Sequence, residues 1–167
     1  MATENKNLSQ HDLNDLPDCS GLRVGVVFSE WNDEITHALR DGAIEVLKSQ
    51  NLSDHNIVVK SVPGSFELPL GAQFLCEHDT VDAVVCVGSV IRGETSHFEY
   101  VCQGVAHGIK DVSLKYNKPV IFGVLTDDNI EQSRARAGGK HGNKGIEAAV
   151  AALKMVALQM DLSQSNY

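Results

Sequence analysis

Gly88–Tyr100, GSVIRGETSHFEY, follows Val81–Val87, an apolar run interrupted by one acid at Asp82. The length and β-branched content of that run predict a buried parallel strand, which we expect to end at Gly88. A short loop with a second glycine, Gly93, then Glu94, Thr95 and Ser96, leads into a segment of helical spacing from His97 to Lys115. A strand, loop and helix in this order give an α/β chain whose ligands sit at the carboxyl ends of the strands. Thr95 or Ser96 can cap the helix, and the free amides of the loop and first turn make an anion site. His97 stands at its edge, and imidazole is the side chain suited to proton transfer near neutral pH. The same residues also fit an ordinary capped helix with a surface histidine.

The unit repeats on both sides. Leu22–Phe28 is a first strand, leading through Ser29–Asn32 to a helix near Asp33 with Ile35, Leu39, Ala43, Val46 and Leu47 on one face. Trp31, the single tryptophan, lies in that turn; it either fills core space or offers a flat ring to a flat ligand. Ile57–Val62 is a second strand, stopped by Pro63 and Gly64. Ser65, Phe66 and Glu67 then precede a helix with Pro69 in its first turn. Glu67 is either an acid favoured by the helix dipole or an acceptor for a polyhydroxylated ligand.

Val120–Leu125 is a fourth strand, and we read the acids after it, Asp127 and Asp128, as a helix start rather than a metal pair. A short helix, Ile130–Ala137, a basic turn rich in glycine and a last helix, Ile146–Met160, complete the chain. Arg136 can clamp a phosphate through its guanidinium or belong to a solvated face.

The length of 167 residues suits one domain. Met1–Ser20 is polar and aperiodic and is expected to be a flexible arm, residues 21–160 the domain, and 161–167 a tail. With 22 acids against 14 bases, the net charge of −8 argues against a nucleic-acid partner. No apolar run approaches the roughly 18 to 20 residues of a membrane span, and the start resembles no secretory signal, so a cytoplasmic address is expected. The four cysteines lack CxxC spacing and read as reduced thiols, and no histidine pairing suggests a metal.

In series, FSEWN (Phe28–Asn32), VPGSFELP (Val62–Pro69), GSVIRGETSHFEY, IFGVLT (Ile121–Thr126) and RAGGKHGNKG (Arg136–Gly145) resemble the lumazine synthase family. The resemblance implies a three-layer αβα sandwich, flavodoxin-like, on a four-stranded parallel sheet. It also implies homopentamers with active sites between subunits; in some members twelve pentamers close an icosahedral shell, and the short Gly138–Gly145 turn leaves a 60-subunit shell open here. The implied reaction condenses 5-amino-6-(D-ribitylamino)uracil with 3,4-dihydroxy-2-butanone 4-phosphate, without metal or redox cofactor. By resemblance, His97 transfers protons and Trp31 stacks on the pyrimidine, while Ser65, Phe66 and Glu67 bind the ring and ribityl chain. Ser89, Val90 and Ile91 line the same pocket largely through backbone. Phe122 completes the apolar wall across a subunit boundary, and Glu94, Thr95 and Arg136 receive the phosphate. The alternatives are a non-catalytic flavin or lumazine carrier, a shell-forming paralogue, and a generic flavodoxin-like phosphate binder.

Overall fold

A computed structural model describes residue 7, residues 9–14 and residues 16–164. Four strands, β1 (Val24–Ser29), β2 (Ile57–Val62), β3 (Ala83–Ile91) and β4 (Val120–Asp127), form one sheet in the order β2-β1-β3-β4 with all neighbours parallel. The connecting helices are α1 (Asp33–Ser49), α2 (Leu68–His78) and α3 (His97–Tyr116), followed by α4 (Ile130–Arg136) and α5 (Lys144–Gln164). Parallel strands need such crossovers, and the helices cover both faces of the sheet.

Alternation along β3 explains the two cores. Val85 and Val87 pack with Ile35, Leu39 and Leu47 of α1 and Leu153 of α5, whereas Val84 and Cys86 face Leu68 and Leu75 of α2 and Ile109 of α3. The three-layer α/β architecture expected from the motif series is therefore present. Gly145 lets α5 cross α1 closely: a Cβ there would lie 1.8 Å from the Leu39 carbonyl oxygen.

Several boundaries differ from expectation. Gly88 does not end β3, which runs on to Ile91 because Ser89, Val90 and Ile91 pair with Leu125, Thr126 and Asp127. A glycine stops a strand only when the ladder is lost there, and this ladder continues. The acids after β4 do not cap α4. Asn129 does, its side chain accepting from the Gln132 N–H at 3.0 Å, while Asp127 ends the strand and accepts from Ser133 Oγ at 2.8 Å. The glycine-rich turn is a small antiparallel hairpin, β5 (Ala137–Gly139) with β6 (Gly142–Asn143).

The last helix extends to Gln164, into the stretch read as a tail. Within the stretch read as an arm, Cys19 is 2% exposed and Leu13 and Leu16 pack on the α1/α5 core. Residues 1–6, 8, 15 and 165–167 lie outside the described residues.

Candidate active site

The carboxyl ends of β1, β2 and β3 surround a cleft of about 740 Å³. Its floor is tight. Gly88 brings β3 so close to the turn after β2 that a Cβ would meet Ser65 Oγ at 2.6 Å and Leu68 at 2.9 Å. The Ser29 and Ser65 hydroxyls lie 3.4 Å apart beside it, both residues buried. Its walls are apolar and open, with Trp31 74%, Tyr100 71% and Phe66 57% exposed. Large rings left to solvent in this way suit a ligand or a second protein surface.

Local structure aims each wall. The Trp31 N–H donates to the Pro63 carbonyl at 3.3 Å, tying the β1–α1 turn to the end of β2. Asn32 then takes a left-handed conformation (φ 60°, ψ 47°), which asparagine tolerates better than most residues. Its amide donates to the Ser89 carbonyl at 2.9 Å, locking the Trp31 turn against β3. Glu67 folds back so that one carboxylate oxygen accepts from the Gly64 N–H at 2.9 Å. Glu67 thus braces its own turn, and its other oxygen has no protein partner among the described residues.

Of the expected site residues, Trp31, Ser65, Phe66, Glu67, Ser89, Val90, Ile91 and His97 line this one cleft. His97 is the exposed first residue of α3, its N–H donating to Thr95 Oγ1 at 3.4 Å. Ser96 occupies the N-cap position, without a side-chain cap hydrogen bond. Glu94, Thr95, Phe122 and Arg136 do not line the cleft. Glu94 and Thr95 sit on the exposed loop before His97, and Phe122 pairs with Cys86 on β4, the outer strand of the sheet. Arg136 lines a separate cavity of about 430 Å³ with Asp127, Glu131, Gln132, Lys140 and His141.

Asn32, Gly64, Tyr100 and Val101 line the cleft but were not among the expected site residues. Tyr100 could have been found from its place three residues beyond His97, on the same helix face. Asn32 carried a signal too, as a residue tolerant of positive φ at a strand-to-helix turn.

The family model of 6,7-dimethyl-8-ribityllumazine synthase matches residues 21–160. The chain belongs to that family. Lumazine synthases similar to it include those of Christiangramia forsetii, 54% identical over 96% of each chain, and Cytophaga hutchinsonii, 55% identical over 94% of this chain and 98% of that one. A third, from Parabacteroides distasonis, is 53% identical over 93% of this chain and 98% of its own. As a lumazine synthase the chain is a transferase of riboflavin biosynthesis, and a non-catalytic carrier is not favoured. Among the described residues no helix is long and apolar enough to cross a membrane, and no group of three or more His, Cys, Asp and Glu side chains could hold a metal ion.

Proposed function

We propose that the chain forms 6,7-dimethyl-8-ribityllumazine, with release of phosphate and water, in the cleft where Trp31 and Phe66 share one wall system with Glu67 and His97. That convergence of a stacking ring, a carboxylate and an imidazole carries the reading. The pyrimidine stacks on Trp31, its ring edge meets the backbone of Ser89, Val90 and Ile91, and Ser65, Phe66 and Glu67 hold the ring and ribityl chain. Alternation supports a backbone role for Ser89, because its register partner Leu125 belongs to the α1/α5 core on the far face of the sheet.

The second substrate carries a phosphate. The amides of Glu94 and Thr95, at the start of α3, receive it together with Arg136, since a helix N-terminus and a guanidinium both favour an anion. One amine of the pyrimidine attacks the ketone and loss of water gives an imine; phosphate is eliminated, the resulting enol tautomerises to a ketone, and the other amine attacks that carbonyl and closes the ring with loss of a second water. Each step moves protons, and His97 transfers them. Holding two substrates in register supplies much of the acceleration.

Arg136 and Phe122 complete the cleft of an adjacent protomer. Their absence from the cleft of their own chain, together with the exposed rings, supports this arrangement. The assembly is a homopentamer with a cytoplasmic address, residues 21–160 form the catalytic domain, and the short β5–β6 turn fits closure of pentamers into a 60-subunit shell. A mass corresponding to pentamer alone by light scattering, across a range of buffers, would reject the shell.

Mixing purified protein with both substrates and following lumazine absorbance tests the assignment. His97→Ala is expected to lower turnover by roughly 10²- to 10⁴-fold while leaving measurable activity. Unchanged turnover would remove His97 from proton transfer.

A further inference from the structure

Arg92 lines neither cavity, yet its side chain makes three contacts, two at the start of α3 beside His97 and one at the corner after β4. Nη1 donates to the Glu99 carboxylate in the first turn of α3. Nε donates to Asp128 Oδ1 at 2.8 Å, just past β4, and the guanidinium lies over the Phe98 ring, 4.1 Å from its centroid. The Arg92 N–H donates to the Asp127 carbonyl at 2.9 Å, so backbone and side chain anchor to the same corner.

The segment between these anchors has little support of its own. Residues 92–97 are all exposed. A Cβ on Gly93 would find nothing within 4 Å, and the hydrogen bond from His97 N to Thr95 Oγ1 is long at 3.4 Å. Without the clasp, the five-residue loop joining β3 to α3 would keep only the bond from the Arg92 N–H to Asp127 and the long contact to Thr95.

We propose that Arg92 is a positioning residue for the condensation, closing the 93–97 loop between β3, Asp128 and the first turn of α3 so that His97 is held against the cleft. The inference rests on His97 as the proton-transfer group. Arg92 touches no substrate and acts through His97. The planar, forked guanidinium suits this place, since it lies over Phe98 while donating from Nε and Nη1 at fixed angles, whereas an ammonium carries its donors on one rotating nitrogen and has no flat face. Exposed ion pairs contribute little to global stability, whereas small misplacement of a reacting group costs large factors in rate. Removal of Arg92 is therefore a kinetic lesion with a small thermal one.

The experiment compares Arg92→Gln, Arg92→Lys, His97→Ala and the Arg92→Gln/His97→Ala double variant, each assayed for kcat and for both KM values. Affinity for the lumazine product is read by Trp31 fluorescence. Arg92→Gln should lower kcat by about 10- to 100-fold, leave product affinity within about twofold, and move the melting temperature by no more than about a few degrees. Arg92→Lys should recover only part of the loss, and the double variant should turn over no more slowly than His97→Ala alone. Unchanged kcat in Arg92→Gln overturns the clasp, as does an equal penalty in the presence and absence of His97. A kcat loss accompanied by proportionate loss of product affinity overturns it too. Unchanged kcat in His97→Ala overturns the proton-transfer reading instead, so the two failures are distinguishable.

Discussion

The floor and the rim of the cleft are built on opposite terms. At the floor, Leu68 is fully buried, Ser65 is nearly so, and Gly88 leaves no room for a methyl group. At the rim, Trp31, Phe66 and Tyr100 expose most of their surface and His97 stands in solvent. Buried, close-packed residues resist change because their neighbours have nowhere to move. Exposed rings gain their partners only when something docks. Floor substitutions should therefore act on stability and rim substitutions on ligand affinity.

The largest expected effect is at the floor. Leu68→Ala removes a fully buried side chain and should cost about 2 to 5 kcal/mol of unfolding free energy in urea titrations; a smaller loss with a large fall in product affinity would dissolve the distinction. Arg136→Ala should raise KM for the phosphate-bearing substrate by a factor corresponding to about 1.5 to 3 kcal/mol, the worth of a charge-assisted hydrogen bond. Equal weakening of both substrates in steady-state assays would contradict its phosphate role. Trp31→Ala should weaken product binding by about 0.5 to 1.5 kcal/mol, the worth of a stacked aromatic pair, while leaving the melting temperature in place, because the ring is 74% exposed.

The smallest effect is that of pH, read at ion pairs outside the cleft. Arg134 donates through Nε and Nη2 to Glu34 at 2.8 and 2.9 Å, tying α4 to α1, and this holds the Glu34 carboxyl below its ordinary value of 4.5. Arg23 likewise holds Asp79 below 3.8. A carboxyl whose pKa is depressed on folding contributes stability that is present above its unfolded value and lost as pH falls through the folded one. Melting temperatures should thus be level from neutrality to about pH 4.5 as far as these carboxylates are concerned, and decline modestly below it. Glu34→Gln should flatten part of that decline.

Much of this division was legible in the sequence, for different reasons at each place. The four strands and the two-sided burial of β3 follow from β-branched runs between helical spacings, since periodicity reports burial directly. Trp31, Glu67 and His97 stood out by their place at strand ends, and Ser65, Phe66, Ser89, Val90 and Ile91 came from the resemblance of the motif series to a family. The continuation of β3 past Gly88 was not legible, because it depends on hydrogen bonds to β4, more than thirty residues away. Asp127 and Asp128 were misread for a similar reason: their partners are Ser133 and Arg92, and Asn129 satisfies the helix start first. Cys19 sits in a polar stretch without periodicity, and only the packing of that stretch on the α1/α5 core accounts for its burial. Arg92 stood inside the leading motif, yet its contacts with Glu99 and Asp128 belong to two other elements and appear only on folding.

The separation of Arg136 from the cleft holding Trp31 and His97 leads to subunit complementation. His97→Ala and Arg136→Ala proteins, each impaired alone when the phosphate-bearing substrate is kept well below KM, are unfolded together, refolded at equal ratio and assayed for lumazine formation under that condition. If each site joins His97 of one protomer to Arg136 of the next, mixed assemblies should recover about a quarter of wild-type activity, the statistical share of intact pairings around a ring. Activity no higher than the mean of the two parents, in assemblies verified to be mixed, would place both residues in the same protomer's site and contradict the arrangement.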